Sequence, residues 1–261
     1  MTVGDVLGWI DTFAPFDTAA GFDNSGLLIG RPDRELRRVL FCVDATLETV
    51  RFAAEHEVQL LVSHHPLLFG GIKQIRYDEP SGAVLTELIR SDLCLIAAHT
   101  NLDQAPGGTG DSLATAVGLT DVQSVGAYLR IGALAEGAMA PETYLARLRR
   151  MLNADIRMYG ENERPIRRVA VGAGALGCDE ALAKGADAYV VGEIHHHEIL
   201  DACARGLTVY EAGHFATEYP GVKALYQRFQ SEPAHQLIVP ILSEVVPYRG
   251  ATLAPLRSQD P

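Results

Sequence analysis

The sequence has few cysteines and lacks the motifs of several common enzyme classes. Its four cysteines, Cys42, Cys94, Cys178 and Cys203, lie far apart and form no C-x-x-C pair. This spacing argues against a disulfide framework and against a thiolate zinc site. Neither a G-x-x-x-x-G-K-[ST] phosphate loop nor a G-x-S-x-G nucleophile elbow occurs. We therefore expect reduced, mostly buried thiols.

Long apolar runs and basic runs are also missing from the sequence. No uninterrupted apolar stretch approaches the roughly 18 residues of a membrane-spanning helix, and no basic segment precedes an apolar stretch at the N-terminus, as it would in a signal peptide. The formal net charge is -11 and the pI is about 5.2, whereas nucleic-acid-binding domains usually carry a basic patch. We expect a cytoplasmic protein that binds neither membranes nor nucleic acid.

The sequence does contain ample material for a buried core, because 48% of its 261 residues are hydrophobic. Short apolar runs alternate with amphipathic helical patterns, which predicts an α/β fold with mostly parallel sheets. The predicted strands are 39–43, 60–62, 93–98, 128–135, 169–171, 188–191 and 207–210. The predicted helices are 47–55, 83–90, 141–152, 180–184 and 199–204, after an N-terminal helix capped by Thr2 and Asp5.

The order of strands and helices occurs twice along the chain, as a repeat of pattern rather than of residues. We expect residues 1–125 to form a first α/β half. Residues 126–261 would hold the rest of a connector, which spans about residues 120–165, and a second α/β half. The two halves would form one compact unit.

Histidines and carboxylates follow the predicted strands, and in open α/β sheets ligands bind outside the carboxyl ends of the strands. His64 and His65 follow one strand of the first half, and His99 and Asp103 follow another. In the second half, Glu193 to Glu198 and His214 to Glu218 follow two more strands. Imidazole and carboxylate groups suit zinc, iron and manganese. The sequence therefore predicts a metal site where these strand ends converge.

Each motif also has a purely structural interpretation. Histidine pairs are usually surface or packing residues, but His64 and His65 lie between apolar segments, where unpaired ring nitrogens are costly. Asp103 is equally suited to a turn before two glycines. His214 and Glu218 share a face if a helix begins here, and an ordinary helix start is equally compatible with them. Taken together, the motifs favour the metal site.

Two further segments attract attention. We expect His195, His196 and His197 to lie at the rim of the site, with at most one of them reaching it alongside Glu193. Gly172 to Gly177 matches the G-x-G-x-x-G dinucleotide pattern after a predicted strand, with Glu193 at a suitable distance. We expect these glycines to form a tight turn close to the metal crevice instead.

Four motifs appear in the order found in a known family. They are Asp23-Asn24-Ser25-Gly26-Leu27-Leu28-Ile29-Gly30, Ser63-His64-His65-Pro66-Leu67, Ala98-His99-Thr100-Asn101-Leu102-Asp103 and Gly213-His214-Phe215-Ala216-Thr217-Glu218. Over about residues 1–245, the chain resembles the GTP cyclohydrolase I type 2 homologues, also called NIF-three-like dinuclear metal centre proteins. It departs from the family pattern at Phe22, where the family often shows Trp or Glu.

The resemblance implies a duplicated α/β fold assembled as a ring-shaped homohexamer, a trimer of dimers, with metal sites facing an internal cavity. It also implies two divalent metal ions per chain, with Asp103 and Glu218 as bridges. The implied ligands are His64, His65, Asp103, His214 and Glu218. Some family members carry an inserted ferredoxin-like domain, for which this chain is too short.

The function implied by the resemblance is metal-dependent hydrolysis of a nucleotide, such as ring opening of GTP. His99 and Glu193 are candidates for proton transfer. Asn24 and Lys73 are candidates for substrate binding, and Arg76 is a further possible phosphate contact; Lys73 and Arg76 are equally well explained as solvated surface charges. Two alternatives stay open: a non-catalytic metal-binding regulatory or scaffold protein, and a two-metal phosphoesterase.

Overall fold

A computed structural model describes residues 1–160 and 164–246 of the chain. Connector residues 161–163 and the end of the predicted second half, residues 247–261, lie outside the described residues. No helix in the described part of the chain is long and apolar enough to cross a membrane.

Helices and strands alternate along most of the described chain. The helices are α1 (Val3–Asp11), α2 (Leu47–Glu55), α3 (Pro80–Arg90), α4 (Thr100–Gln104), α5 (Thr109–Ala116), α6 (Pro141–Leu152), α7 (Asp179–Ala183), α8 (His196–Ala204) and α9 (His214–Ser231). The strands are β1 (Gly26–Ile29), β2 (Arg38–Cys42), β3 (Leu60–Ser63), β4 (Cys94–Ala97), β5 (Leu119–Val125), β6 (Leu129–Leu134), β7 (Arg157–Tyr159), β8 (Arg168–Ala175), β9 (Ala188–Glu193), β10 (Thr208–Glu211) and β11 (Val239–Leu242). Two short 3₁₀ helices cover Phe16–Thr18 and Pro233–His235.

Local sequence signals explain where several helices begin. At the start of α1, the backbone N–H of Thr2 donates to Asp5 Oδ2 at 2.7 Å, and the N–H of Asp5 donates to Thr2 Oγ1 at 3.3 Å. This reciprocal pair is the predicted capping box. Pro141 stands in the first turn of α6, where its missing N–H costs nothing. Helices α2 and α6 have the bounds that the sequence predicts.

The first sheet has the strand order β1-β4-β3-β2-β11. Strands β4, β3, β2 and β11 pair in parallel, and only the edge strand β1 is antiparallel. Every residue of β3 and β4 is buried, which agrees with their continuous apolar sequences. The prediction of a mostly parallel sheet is confirmed here, and the carboxyl ends of β2, β3 and β4 lie at one edge.

The second sheet is mixed, with the order β5-β6-β8-β9-β10-β7. Its central strands β8, β9 and β10 are parallel as predicted, whereas β5, β6 and β7 pair antiparallel. The antiparallel strands come from the connector region. Only three residues separate β5 from β6, and a parallel connection needs a dozen or more.

Helix α9 links the two sheets. Its apolar residues Val222, Leu225 and Phe229 pack in one core cluster with Val39 and Phe41 of β2, and the helix also contacts β8 and β9 of the second sheet. Strand β11 then returns to the first sheet beside β2. The division of the chain after residue 125 stays a proposal.

Candidate metal centre

The histidine pair lies at the carboxyl end of β3. The backbone N–H groups of His64 and His65 both donate to the carbonyl of Val43, at 3.1 and 3.0 Å, so the end of β2 fixes the pair. The hydroxyl of Ser63 donates to the His65 carbonyl at 2.7 Å. His64 is 1% exposed. The apolar sequence around the pair therefore places its imidazoles against the interior, where their nitrogens need partners.

The next two candidates lie at the end of β4. His99 precedes α4, and the backbone N–H of Asp103 donates to the His99 carbonyl at 3.0 Å. This first turn directs Asp103 towards the histidine pair, with Asp103 Oδ1 at 3.4 Å from His64 Nε2. Asp103 lies within α4 and not in the turn that was its structural alternative, and its carboxylate contacts His64.

The third pair lies on the first turn of α9. Gly213 caps this helix with a φ of 87°, a conformation that favours glycine. His214 and Glu218 share a helical face as predicted, and His214 Nε2 lies 2.9 Å from Glu218 Oε1. Glu218 is 4% exposed. Removing a charged carboxylate from water costs free energy, so neighbouring groups must offset this cost.

Side chains from the first sheet and from helix α9 meet around Glu218. Glu218 Oε2 lies 3.0 Å from His65 Nε2, and Glu218 Oε1 lies 3.6 Å from His64 Nε2. His65 Nε2 and His214 Nε2 are 3.2 Å apart. The structure therefore brings together all five residues that the resemblance implies as ligands: His64, His65, Asp103, His214 and Glu218.

Two overlapping groups of these side chains have the spacing of a metal site. In each group, one potential ligand atom per residue lies within 4.8 Å of the others. The groups are His64, His65 and His99, and His65, His214 and Glu218. His99, which the sequence places at a strand end of the predicted metal site, thus lies close enough to act as a ligand in addition to the five that the resemblance implies.

The outward-facing nitrogen of each imidazole has an oxygen partner. His64 Nδ1 lies 2.9 Å from the Ala98 carbonyl, His65 Nδ1 lies 2.8 Å from Asp44 Oδ1, and His214 Nδ1 lies 3.2 Å from Glu193 Oε2. These acceptors favour the tautomer with the proton on Nδ1, which leaves the Nε2 lone pair directed inward. Sequence reasoning missed Asp44, although it follows the predicted strand 39–43.

The chemistry of this donor set fits divalent cations. Within the described residues, the buried atoms His64 Nε2, Asp103 Oδ1 and Glu218 Oε2 lack a hydrogen-bond partner, which is costly unless another group satisfies them. Two Nε2 lone pairs 3.2 Å apart repel each other unless a cation lies between them. Imidazole nitrogens that share one zinc ion at about 2.0–2.1 Å are themselves roughly 3 Å apart.

Protonation is the alternative way to satisfy the same contacts. Burial opposes a charge on His65, but Asp44 and Glu218 outweigh it and raise the pKa of His65 to about 10. The hydrogen bond to Glu218 raises the pKa of His214 to about 9. Burial works against ionisation of Glu218, yet His64 and His214 hold its pKa well below the usual range. The centre is thus built around a buried carboxylate that requires positive charge.

His99 is oriented by Asp23. His99 Nδ1 lies 2.8 Å from Asp23 Oδ1, and the Asp23 carboxylate also accepts from the Thr100 backbone N–H at 3.1 Å and from the Ser25 hydroxyl at 2.8 Å. The Asp23 side chain is fully covered. Asp23, from the first of the four family motifs, therefore fixes the ring of His99, from the third motif, beside the cluster.

Replacing Asp23 with asparagine is expected to lower the free energy of unfolding by about 1–2 kcal/mol near neutral pH. Burial opposes ionisation of Asp23, but hydrogen bonds from Thr100, His99 and Ser25 outweigh it and lower the pKa of Asp23 to about 2. Because the folded pKa is depressed, this stabilisation is present above the unfolded value of 3.8 and is lost as the pH falls through about 2. Urea unfolding of both proteins near pH 7 and near pH 3 measures it; a difference independent of pH would contradict it.

The glycine-rich segment lies against the candidate centre as predicted, but Gly172 and Gly174 belong to strand β8 and not to the predicted tight turn. Gly174 has a φ of +64°, and a Cβ atom there would lie 2.4 Å from Glu218 Oε1 and 3.2 Å from His214 Nε2. Its backbone N–H donates to Thr217 Oγ1 at 3.1 Å. The segment therefore lets β8 approach α9 closely, and the G-x-G-x-x-G match is explained by packing beside the metal centre.

A Gly174→Ala variant is expected to lose at least half of its bound metal, because the methyl group would displace the Glu218 carboxylate. Gly185→Ala is the matched control, since Gly185 has a φ of +68° and no atom within 4 Å of its Cβ position. Both variants pay a similar backbone cost of about 1–2 kcal/mol, so only the collision differs. Elemental analysis of both proteins tests this; equal metal contents would refute it.

The remaining candidates lie outside the cluster. The Glu193 side chain is 59% exposed and contacts His214. His195, His196 and His197 are exposed at the start of α8, and their position at the rim of the site stays a prediction. Lys73 is exposed.

The other two candidates from the resemblance have structural partners. Arg76 pairs with Asp78 at 2.5 Å. The Asn24 amide donates to the Leu68 carbonyl at 2.5 Å. The roles of Asn24, Lys73 and Arg76 towards a substrate stay predictions.

A cavity of about 320 Å³ opens beside the centre. Its lining includes Phe22, His99, Asp103, Tyr128, His214 and Glu218. This size is at the lower end of small-molecule sites, and the lining joins the first sheet to the second. A small ligand in the cavity would therefore touch the candidate centre together with Phe22 and Tyr128.

Comparisons with known proteins agree with this fold and indicate the family of the chain. The family model for Duf34/NIF3 (NGG1p interacting factor 3) matches residues 1–246. The GTP cyclohydrolase 1 type 2 homolog of Streptomyces coelicolor is 34% identical over 233 residues, which cover 84% of this chain and 82% of the relative. The homologue of the same name from Clostridium perfringens is 29% identical over 232 residues, covering 84% and 88% of the two chains.

Solved structures give the same result at the level of the fold. The crystal structure of Staphylococcus aureus hypothetical protein SA1388 superposes with a TM-score of 0.89 at 28% sequence identity. The match covers 96% of this chain and 99% of the other. Because the family model spans nearly the entire sequence, this chain belongs to the Duf34/NIF3 family.

Proposed function

We propose that this protein is a dinuclear metal-dependent hydrolase that acts on a nucleotide. The observation that carries the proposal is the convergence of three imidazoles on the buried carboxylate of Glu218, with Asp103 beside them. The relatives named GTP cyclohydrolase 1 type 2 homolog suggest GTP as the first nucleotide to test. Two divalent ions of zinc, iron or manganese suit the donor set.

The side chains that would hold the two ions are those of His64, His65, Asp103, His214 and Glu218. Bound divalent metal ions supply hydroxide at neutral pH by lowering the pKa of coordinated water towards about 7, and they polarise the bond that is attacked.

The surrounding residues prepare the centre for this chemistry. Asp44 and Glu193 hold protons on the outer nitrogens of His65 and His214, which keeps the inner nitrogens available. Asp23 does the same for His99, whose ring lines the cavity. We therefore propose His99 as the group that accepts or donates the substrate's proton, in preference to the more exposed Glu193.

The proposal includes the assembly and location implied by the family resemblance, a cytoplasmic homohexamer. Supporting observations are the pattern of family motifs and the match to the family over residues 1–246. Sedimentation analysis of the purified protein tests the hexamer directly, and a stable monomer would contradict this part of the proposal.

Metal-loaded protein incubated with GTP is expected to release formate, because one water opens the five-membered ring of the purine to a formamide and a second water hydrolyses that formamide. A parallel incubation with bis(4-nitrophenyl) phosphate tests phosphodiester cleavage at the same centre. Chelated protein is the control for both assays. Cleavage of only the phosphodiester would replace the proposal with a phosphoesterase, and inactivity in both assays with metal bound would favour the non-catalytic scaffold.

A further inference from the structure

We propose that Phe22 and Phe69 form a stacking surface for a planar heteroaromatic ring of the ligand, beside the metal centre. This inference rests on the proposed function and deepens it, because it states what part of the substrate is recognised and by which residues. These two phenylalanines form the aromatic rim of the candidate centre.

Both rings of the aromatic rim are largely exposed to solvent. Phe22 is 67% exposed and Phe69 is 52% exposed, although burying a phenylalanine is worth about 1.5–3 kcal/mol. Their ring centroids are 6.2 Å apart, and the Phe69 ring meets His99 edge-on at 5.9 Å. An exposed aromatic surface thus continues from solvent to the histidine cluster, and exposed apolar surface next to a cavity is typical of a binding site.

The loops that carry the aromatic rim are anchored on both sides. The Asn24 amide donates to the Leu68 carbonyl at 2.5 Å, which ties the residue after Asp23 to the residue before Phe69. The backbone N–H of Asp23 donates to the Ala20 carbonyl at 2.8 Å, and the Asp23 carboxylate is held by the start of α4. Both rings therefore project from fixed backbone, and a preorganised surface loses little entropy when a ligand binds.

The geometry of the cavity defines the kind of ligand. A ring inserted between Phe22 and Phe69 would need two contacts of about 3.5 Å, more than the observed 6.2 Å allows. The ligand ring therefore lies against the pair. Phe22, Leu176 and the Tyr128 side chain line the same cavity of about 320 Å³, which suits a compact planar base.

Stacking of a base on an aromatic side chain does not depend on which base it is, and alanine substitution costs about 1–3 kcal/mol per base. The metal centre and the aromatic rim would then recognise different parts of one ligand. The rim would bind the flat π-face of its ring, and the centre would bind the edge that reacts.

The test measures binding rather than turnover. Metal-loaded protein is titrated by calorimetry with GTP and, separately, with inorganic triphosphate. Phe22→Ala and Phe69→Ala are each expected to weaken GTP binding about five- to hundredfold, to leave triphosphate binding unchanged, and to retain the full metal content. Phe22→Trp keeps an aromatic ring at this position and is therefore expected to retain the GTP affinity of the wild-type protein. Phe52→Ala is the control, because Phe52 is 38% exposed and stacks on His56 at 3.9 Å, on helix α2.

Several results would overturn the inference. They are unchanged GTP affinity in Phe22→Ala, an equal loss of triphosphate affinity, or wild-type protein that binds GTP no more tightly than triphosphate. A change in sedimentation coefficient with unchanged GTP affinity would assign the rim to a contact between subunits and would also refute it. Ring-dependent binding without formate release leaves this inference intact and refutes the proposed function, whereas turnover with ring-independent binding does the reverse.

Discussion

Replacing Glu218 with alanine is expected to remove most of the bound metal from the protein. Its carboxylate contacts the inner nitrogens of His64, His65 and His214, so the three imidazoles share it as a neighbour. Without it, the three imidazoles would lose the carboxylate that they share, and Asp103 would be the one carboxylate left among the proposed ligands. His65→Ala is expected to have the same result, because His65 belongs to both groups that have metal-ligand spacing.

Elemental analysis of the purified proteins measures this result directly. We expect about two ions per chain in the wild-type protein, as in dinuclear sites generally, and a minor fraction of that in each variant. Glu55→Ala, on the exposed surface of α2, is the control for loss of a glutamate. Full metal content in Glu218→Ala, in protein whose circular dichroism matches the wild type, would mean that the metal is held elsewhere.

Removing the metal with a chelator is expected to lower the midpoint of thermal unfolding, Tm, by roughly 10 °C. A ligand present at a thousandfold excess over its Kd stabilises the folded state by about 4 kcal/mol, and each kcal/mol shifts Tm by about 2–4 °C in a domain of this size. The direction follows from the structure, because metal binding satisfies the buried atoms His64 Nε2, Asp103 Oδ1 and Glu218 Oε2.

Differential scanning calorimetry before chelation, after chelation and after metal is restored measures the shift. The Glu218→Ala variant is the matched control, and its Tm should respond to neither treatment. An unchanged Tm in chelated wild-type protein, with metal shown to be absent, would contradict this prediction. It would indicate that protonated His65 and His214 stabilise the buried carboxylate as much as bound metal does.

Much of the fold follows from the sequence because its central strands are continuous apolar runs. Strands β3 and β4 are buried on both faces, so their residues need no alternation and are easy to identify. The sequence predicts only a connector where strand β5 lies. Five of the seven residues of β5 are exposed, so the strand has no apolar run that would identify it. Its conformation depends on pairing with β6. Strand β11 contains Pro240, which is unusual in a strand. It forms by pairing with the edge of β2.

The candidate site was predictable to a similar extent. The His-His pair and the final Gly-His motif stand at strand ends, where α/β folds place ligands. Periodicity cannot show how closely two halves approach, so the sequence could not indicate that Gly174 lies beside Glu218. It could not reveal the partnership of Asp44 with His65 either, because 20 residues separate them in the chain and only the parallel pairing of β2 with β3 brings them together.

The outer partners of the histidines have an electrostatic consequence for the order of loading. Counting Asp103 and Glu218 with Asp44, Asp23 and Glu193, five carboxylates surround the imidazoles within a small volume. These carboxylates repel an anionic molecule, and protonation of His65 and His214 offsets their charge only in part, whereas two divalent cations would add four positive charges. A polyphosphate should therefore enter only after the cations, and its affinity should report how completely the protein has been metallated.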